Sequence, residues 1–184
     1  MPGTDAAAMT ESIRAVLKSQ YHASLAMLRE AVEKCPDDLW TSTAHLNPCW
    51  QVAYHAVFFA HLYGCTDEAS FRPWEHHQAD VQYPDGIPGP LDPASKLPLV
   101  ARPYTKAEVL AYWKFVDDRV DAAVDATDVH AAESGFSWYK VPKLEHQLVN
   151  LRHIQHHAAQ LATRLRTTEN IGIDWVGARR VKPR

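Results

Sequence analysis

The sequence has few cysteines, no long apolar run and no marked excess of charge of either sign. Its three cysteines, Cys35, Cys49 and Cys65, are an odd number whose spacing matches neither a disulfide framework nor a zinc knuckle, so we expect reduced thiols. No stretch approaches the roughly 18 apolar residues of a membrane span. The first residues carry no apolar signal segment. These absences predict a cytoplasmic protein with no membrane partner.

Charge and length narrow the class of protein further. The formal net charge of −3 over 184 residues gives no electrostatic reason to expect a nucleic-acid partner. A basic stretch at residues 178–184 is short and terminal, which favours a solvated chain end over a binding patch. With 46% hydrophobic and 22% charged residues, the chain has an ordinary globular composition and is long enough for one sizeable core. We therefore expect one domain over residues 1–184.

No stretch shows the alternation typical of a strand, whereas four segments show helical periodicity. The first carries apolar residues at spacings of three and four from Ile13 to Val32 and is stopped by Pro36. The second begins near Pro48 and is apolar almost all round, so it should be largely buried. We expect it to end at Gly64 in a left-handed cap.

The third predicted helix opens with Thr105 and Glu108, which form a capping-box pattern, and its apolar stripe runs on as far as Val124. The fourth starts after Pro142, and its predicted apolar face consists of Leu144, Leu148, Leu151, Ala158, Ala162 and Leu165. Four long helices with few breaks predict an all-α fold, a four-helix bundle.

A long proline-rich crossover, residues 65–104, joins the second and third helices. A structureless connection of this length usually indicates either function or disorder. Its aromatic residues, among them Trp74 and Tyr104, favour packing on the bundle, and hence an ordered crossover that roofs a pocket. A mobile insertion is the alternative. Near the C-terminus, we expect the apolar segment 171–177 to fold back onto the bundle with Trp175 as its anchor.

Three histidines fall within five positions of the fourth helix, at residues 153, 156 and 157. Residues four apart on an α-helix lie about 40° from each other and one turn apart, so His153 and His157 can address one ion. His156 points about 60° to the other side of His153, which disfavours it as a ligand of the same ion.

Other polar residues near this pair leave two interpretations open. His146 and Asn150 extend the histidine stripe backward, and Gln160 extends it forward. These side chains either orient a ligand ring or a bound water, or they belong to a solvated helix face on which the histidines are incidental. His76 and His77 of the crossover could also approach the site, but their place in a loop gives no geometric constraint.

His55 shifts the balance toward a metal site. It lies on the apolar second helix, where a polar ring needs a partner, which can be a backbone carbonyl, a water or a metal. Together, His55, His153 and His157 form a set of three imidazoles that leaves coordination positions open, as in a catalytic or ligand-exchange site. His61 lies about 120° around the helix from His55 and should not share this site.

These motifs resemble those of the DinB-like superfamily, the DinB- and YfiT-like metalloenzymes. The resemblance rests on the proline-initiated "NPCWQVAYHAVFF" of the second helix and on "HIQHHAAQL" of the fourth. It implies a four-helix bundle in which His55, His153 and His157 hold a divalent metal ion, with Gln160 at the position of the motif's trailing glutamine. Zinc suits these ligands best, although nickel, manganese and iron also accept imidazole.

The resemblance also implies a type of chemistry. Family members with assigned activities include transferases of low-molecular-weight thiols, such as bacillithiol and mycothiol, and mycothiol-dependent maleylpyruvate isomerase. Three neutral imidazoles leave the full charge on the ion, which favours a bound thiolate or a water with a pKa of about 7. We therefore expect a metal-dependent thiol transferase or hydrolase with a small-molecule substrate, forming a homodimer as is common among relatives. The alternatives are a metal-binding stress-associated protein without turnover and a structural helical dimer without metal.

Overall fold

The computed structural model describes residues 2–84 and 102–179. Helices occupy most of these two stretches and no strand occurs in them, so the predicted all-α fold is confirmed. In chain order the helices are α1 (Pro2–Lys34), α2 (Asp37–Trp40), α3 (Cys49–Gly64), α4 (Lys106–Asp117), α5 (Val120–Ala126) and α6 (Lys143–Glu169).

Four helical units form a bundle: α1, α3, α6 and the consecutive pair α4–α5. Helix α6 packs along both α1 and α3, and the α4–α5 pair packs against the same two helices. One continuous cluster of buried apolar side chains fills the space between them, and its most enclosed members include Leu25, Leu28, Tyr54, Val109 and Leu165. Helices that bury their apolar faces against two neighbours in this way form a four-helix bundle.

Two features are absent from the described residues. None of the three cysteines, Cys35, Cys49 and Cys65, takes part in a disulfide. No helix in the two described stretches combines the length and the apolar composition that a membrane crossing requires.

Helix α3 is enclosed on almost every side, as its apolar sequence predicts. Pro48 precedes it with an extended backbone (φ −60°, ψ 156°), and thirteen of its sixteen residues are buried. The predicted left-handed cap at Gly64 is wrong. Gly64 is the last helical residue, and the chain leaves the helix through Cys65 in an extended conformation with φ −74°. The Cys65 N–H bonds the Leu62 carbonyl, so the helix end needs no reversal at glycine.

The capping box predicted at the start of α4 is present. The Thr105 side chain accepts a hydrogen bond from the Glu108 N–H, and the Glu108 carboxylate accepts one from the Thr105 N–H. The single third helix that the sequence predicts is instead two helices, because the chain turns at Asp118 and Arg119. There the Arg119 N–H bonds the Val116 carbonyl three residues back, which tightens the last turn and ends α4.

The fourth predicted helix is α6, which begins after Pro142 as expected. Its predicted apolar face is wrong in part, because Leu148 is 50% exposed. The side of α6 that faces the core instead carries the fully buried His146, Asn150 and Ile154. The alternative of a solvated histidine face is therefore wrong for this part of the stripe. The polar groups are enclosed because α1 and α3 both pack along α6.

The described parts of the proline-rich crossover pack on the bundle, as their aromatic residues predict. Trp74 and Tyr104 are buried, and the Trp40 indole N–H donates to the Tyr104 carbonyl at 2.8 Å. Residues 85–101 lie outside the described residues, and the prediction that the crossover roofs a pocket falls largely on them.

The segment after α6 folds back onto the bundle, but Trp175 is not its anchor. That side chain is 78% exposed and lies over a surface groove beside Met27. The contacts with the core come instead from Ile171, Ile173 and Val176. Smaller aliphatic side chains therefore attach the segment, and the indole covers surface rather than filling the interior.

Candidate metal centre

Three histidines from two helices meet at one point of the bundle. His55 comes from α3, and His153 and His157 come from α6, one turn apart. Their candidate ligand nitrogens all lie within 4.8 Å of one another. The Nε2 atoms of His55 and His153 are 2.9 Å apart. The structure thus brings together the three residues that the sequence predicts as ligands.

The packing of α3 along α6 accounts for this meeting. The His55 ring lies 4.8 Å from the His153 ring and 4.5 Å from the His157 ring, measured between centroids. Phe59, one turn beyond His55, has its ring 4.7 Å from that of His55 and 5.3 Å from that of His153. Phe59 therefore gives the cluster an apolar wall, which restricts the two rings and excludes water from that side.

A backbone carbonyl orients His55. Its Nδ1 lies 2.6 Å from the carbonyl oxygen of Gln82, in the connection after α3. Because a carbonyl can only accept, Nδ1 carries the proton, and the lone pair is on Nε2, which faces the cluster. Metal-binding histidines commonly have such a partner on their second nitrogen. The sequence analysis missed Gln82, since every residue has a carbonyl and the side-chain pattern carries no sign of its position.

A side-chain amide orients His157 in the same way. The Nδ1 of His157 lies 3.0 Å from Oε1 of Gln160. Because an amide oxygen can only accept a hydrogen bond, the Nδ1 atom of His157 also carries the proton, and Nε2 is left as the possible ligand. The sequence left two interpretations open for Gln160, a side chain that orients a ligand ring or part of a solvated helix face. The contact with the His157 ring agrees with the first.

His153 is the third imidazole of the set. Its Nδ1 is buried and has no hydrogen-bond partner among the described residues, while its Nε2 faces the unprotonated Nε2 of His55. Two nitrogens bound at about 2.0 to 2.1 Å to a tetrahedral ion lie about 3.4 Å apart. A widening of the 2.9 Å separation by a few tenths of an ångström would therefore admit such an ion. The three nitrogen donors fit a divalent cation.

The charge state of the cluster also suits a metal. Burial, followed by the nearby histidines 55, 157 and 156, lowers the pKa of His153 to about 3. At neutral pH this ring is therefore uncharged, as a ligand must be. Among the described residues, no cysteine or carboxylate joins the three histidines. A three-histidine set without a fourth protein ligand is typical of catalytic zinc sites.

His146 and Asn150 lie on the core side of α6, but their contacts are with other groups. The His146 ring packs among the rings of Tyr63, Phe136 and Tyr139, with centroids 4.7 to 5.2 Å away. The Asn150 amide donates to a backbone carbonyl of α3 at 3.4 Å. These contacts join α6 to its neighbours and do not reach the three candidate ligands.

The remaining predicted histidines are not among the candidate ligands. His61 contacts the Tyr112 hydroxyl at 3.0 Å, so the prediction that it does not share the site is confirmed. His156 is exposed and, as predicted, outside the group of candidate ligands. His77 bonds a tyrosine hydroxyl of α3 at 2.7 Å, and His76 is exposed beside it.

An open cleft of about 540 Å³ adjoins the cluster at His153. Binding sites for small molecules commonly have volumes of about 300 to 1,000 Å³. Arg152 and His156 also line the cleft, so it carries at least one positive charge. The sequence analysis missed Arg152, because its place at the cleft depends on which face of α6 is exposed.

Comparison with known proteins agrees with this geometry. A family model described as the DinB superfamily matches residues 20–161, a stretch that contains all three candidate ligands. The chain belongs to the DinB superfamily. No curated protein and no solved structure matches it at a significant level. Membership of the DinB superfamily agrees with the helical bundle and is compatible with metal binding by His55, His153 and His157.

Proposed function

We propose that this DinB-superfamily protein is a metal-dependent enzyme that activates a low-molecular-weight thiol, or a water, for attack on an electrophile. The observation that carries the proposal is the geometry of the three imidazoles. The Nδ1 partners of His55 and His157 leave Nε2 of each ring as the nitrogen that can bind an ion, and the candidate ligand nitrogens of the three histidines lie within 4.8 Å of one another. No thiolate or carboxylate of the described residues closes the set. Zinc is the proposed ion, although nickel, manganese and iron accept the same ligands.

The chain's own residues supply a site that is oriented before the ion arrives. The Gln82 carbonyl and the Gln160 amide fix the rings of His55 and His157, while Phe59 excludes water from one side. A bound divalent ion supplies the positive charge that lowers the pKa of a thiol or water at its open position. Partners on the far side of ligand rings typically strengthen metal affinity by about 10- to 100-fold.

The cleft beside His153 supports a small-molecule substrate. It adjoins the cluster at His153, and Arg152 is among the residues that line it. A guanidinium binds a carboxylate through two parallel N–H groups. A small thiol that carries a carboxylate can therefore lie against Arg152 while its sulfur approaches the histidine cluster.

Metal content is the first test of this proposal. Untagged protein, purified without chelators, is analysed for metals beside His157→Ala and beside His156→Ala, an exposed neighbour on the same helix. We expect about one ion per chain in the parent and in His156→Ala, and markedly less in His157→Ala. Absence of metal from the parent, even after incubation with zinc and nickel, contradicts the proposal and favours a helical bundle without metal.

A turnover assay then separates the enzyme from a protein that only stores or senses metal. Bacillithiol, mycothiol and glutathione are each offered with 1-chloro-2,4-dinitrobenzene, and hydrolysis is followed with p-nitrophenyl acetate. We expect a rate that chelation abolishes, that zinc restores and that His157→Ala lacks. Metal without turnover in either assay favours the metal-binding stress-associated alternative. The homodimer stays a prediction. Size-exclusion chromatography with light scattering tests it by measuring the molar mass of the protein in solution.

A further inference from the structure

An apolar cavity of about 130 Å³ lies between the C-terminal end of α3 and the helices α1 and α5. The side chains that line it include Leu25, Ala60, Val120, Ala123 and Val124. None of the three candidate metal ligands is among its lining residues, so it is separate from the metal centre. An apolar cavity offers water few hydrogen-bond partners, and such cavities bind small apolar molecules instead.

Gly64 borders this cavity, and its backbone conformation does not explain why it is glycine. It lies in the last turn of α3 and does not have a positive φ, whereas Gly135 does. Glycine inside a helix costs about 1 kcal/mol relative to alanine. A Cβ placed on Gly64 would meet no atom within 4 Å. The missing side chain therefore leaves open space beside the cavity.

Arg119 is the one permanently charged residue among those that line this cavity. Its acidic neighbours Asp117, Asp118 and Asp121 each pair with another basic side chain, and Arg119 has no ion pair within residues 2–84 and 102–179. Its guanidinium lies over the Phe115 ring, 3.5 Å from the centroid, and Nη1 donates to the Phe115 carbonyl. The other N–H groups make no hydrogen bond to the described residues and are available to a ligand.

The other titratable side chains that line the cavity are Tyr21, His61 and Cys65. Burial raises the pKa of the Tyr21 hydroxyl and of the Cys65 thiol, so both are neutral at pH 7. Burial, followed by the charge of Arg119, lowers the pKa of His61 to about 4, so this ring is neutral at pH 7. The lining of the cavity is therefore mostly apolar, and Arg119 is the one cationic residue among the lining residues. A ligand that matches both features has an apolar body and one negative charge.

We propose that this cavity binds a small carboxylate whose body is an aromatic ring or a short branched chain. The body occupies the cavity, and the carboxylate at the opening accepts hydrogen bonds from Arg119. An apolar cavity of about 150 Å³ accepts benzene. At about 130 Å³ and open on one side, the present cavity can hold a ring whose substituent points outward.

Benzoate is the probe for this site, and toluene is its uncharged counterpart. In NMR titrations of the unaltered chain, we expect saturable binding and nuclear Overhauser effects between the benzoate ring and the methyl groups of Val120 and Val124. Ala123→Leu fills the cavity and should abolish binding, whereas Ala122→Leu adds the same group at an exposed position and should not. Arg119→Gln should weaken benzoate by about tenfold or more while leaving toluene unchanged.

Several results overturn the proposal. One is the absence of benzoate binding to the unaltered chain, and another is binding without contacts to Val120 and Val124. The proposal is also contradicted if Arg119→Gln leaves the affinity for benzoate unchanged, or if Ala122→Leu weakens binding as much as Ala123→Leu does. Circular dichroism checks that each variant folds, and Gly64→Leu provides a second substitution that fills the open space. The titration on His157→Ala should give the parent affinity, which keeps the outcome separate from that of the metal proposal.

Discussion

Replacing His146 by phenylalanine should make the stability of the fold less sensitive to acid. The His146 ring is fully buried among aromatic rings, and neither of its nitrogens has a hydrogen-bond partner among the described residues. Burial, followed by the charge of Lys143, lowers the pKa of His146 to about 4. The native state therefore keeps this ring neutral at a pH where the unfolded chain, with a histidine pKa of about 6.5, takes up a proton.

The sign and size of the effect follow from this difference in pKa. Because the unfolded state binds the proton first, the stability associated with the neutral ring is fully present above a pH of about 6.5 and is lost as the pH falls toward about 4. Between pH 8 and pH 5, these two pKa values correspond to a loss of about 2 kcal/mol from this residue. Phenylalanine binds no proton and suits the aromatic surroundings, so the variant should not suffer this loss.

Urea denaturation measures the free energy of unfolding of the parent and of His146→Phe at pH 8, 6 and 5. A chelator is present, so that neither chain carries metal. The stability of the variant relative to the parent should rise by about 2 kcal/mol from pH 8 to pH 5. His156→Phe, at an exposed position of the same helix, is the control and should show no such rise. If the difference in the free energy of unfolding between His146→Phe and the parent is the same at pH 8 and at pH 5, His146 is not a buried neutral base.

Three further substitutions test other contacts. Gln160→Leu removes the amide that orients His157, and competition with a chromophoric chelator should show metal affinity lower by about 10- to 100-fold with unchanged helix content. Lys143→Met removes an ammonium that donates to three backbone carbonyls, and urea denaturation should show a loss of about 3 kcal/mol or more; a smaller loss would mean that water replaces the ammonium. Thr105→Ala removes the cap of α4 and should cost about 1 kcal/mol in thermal unfolding, without any change in metal affinity.

The parts of the fold that depend on local chemistry could be predicted from the sequence. Pro36, Pro48 and Pro142 mark helix ends because proline lacks the N–H that a helix interior needs. The turn at Asp118 and Arg119 was not predicted, because no proline or glycine marks it and the apolar stripe of α4 continues into α5. Only the tertiary packing against α1 and α3 shows where that helix divides.

In the candidate site, too, the features set by local sequence could be predicted, whereas those set by tertiary packing could not. The pairing of His153 with His157 is a matter of helical spacing, and His55 was identifiable because it interrupts an apolar helix. The side of α6 that faces the core was predicted wrongly in part, since an amphipathic pattern assumes that polar residues face water. Here His146 is enclosed by aromatic rings, so apolar surroundings and a polar side chain occur together.

The acceptor that orients His55 belongs to the main chain at Gln82, and every amino acid at that position would provide it. Substitution scanning across the crossover will therefore not remove this acceptor, because any residue at position 82 supplies the carbonyl. At this point the centre depends on the path of the chain rather than on the identity of a residue. An insertion or deletion between α3 and residue 82 would displace the carbonyl, so changes in loop length threaten the centre more than changes in composition do.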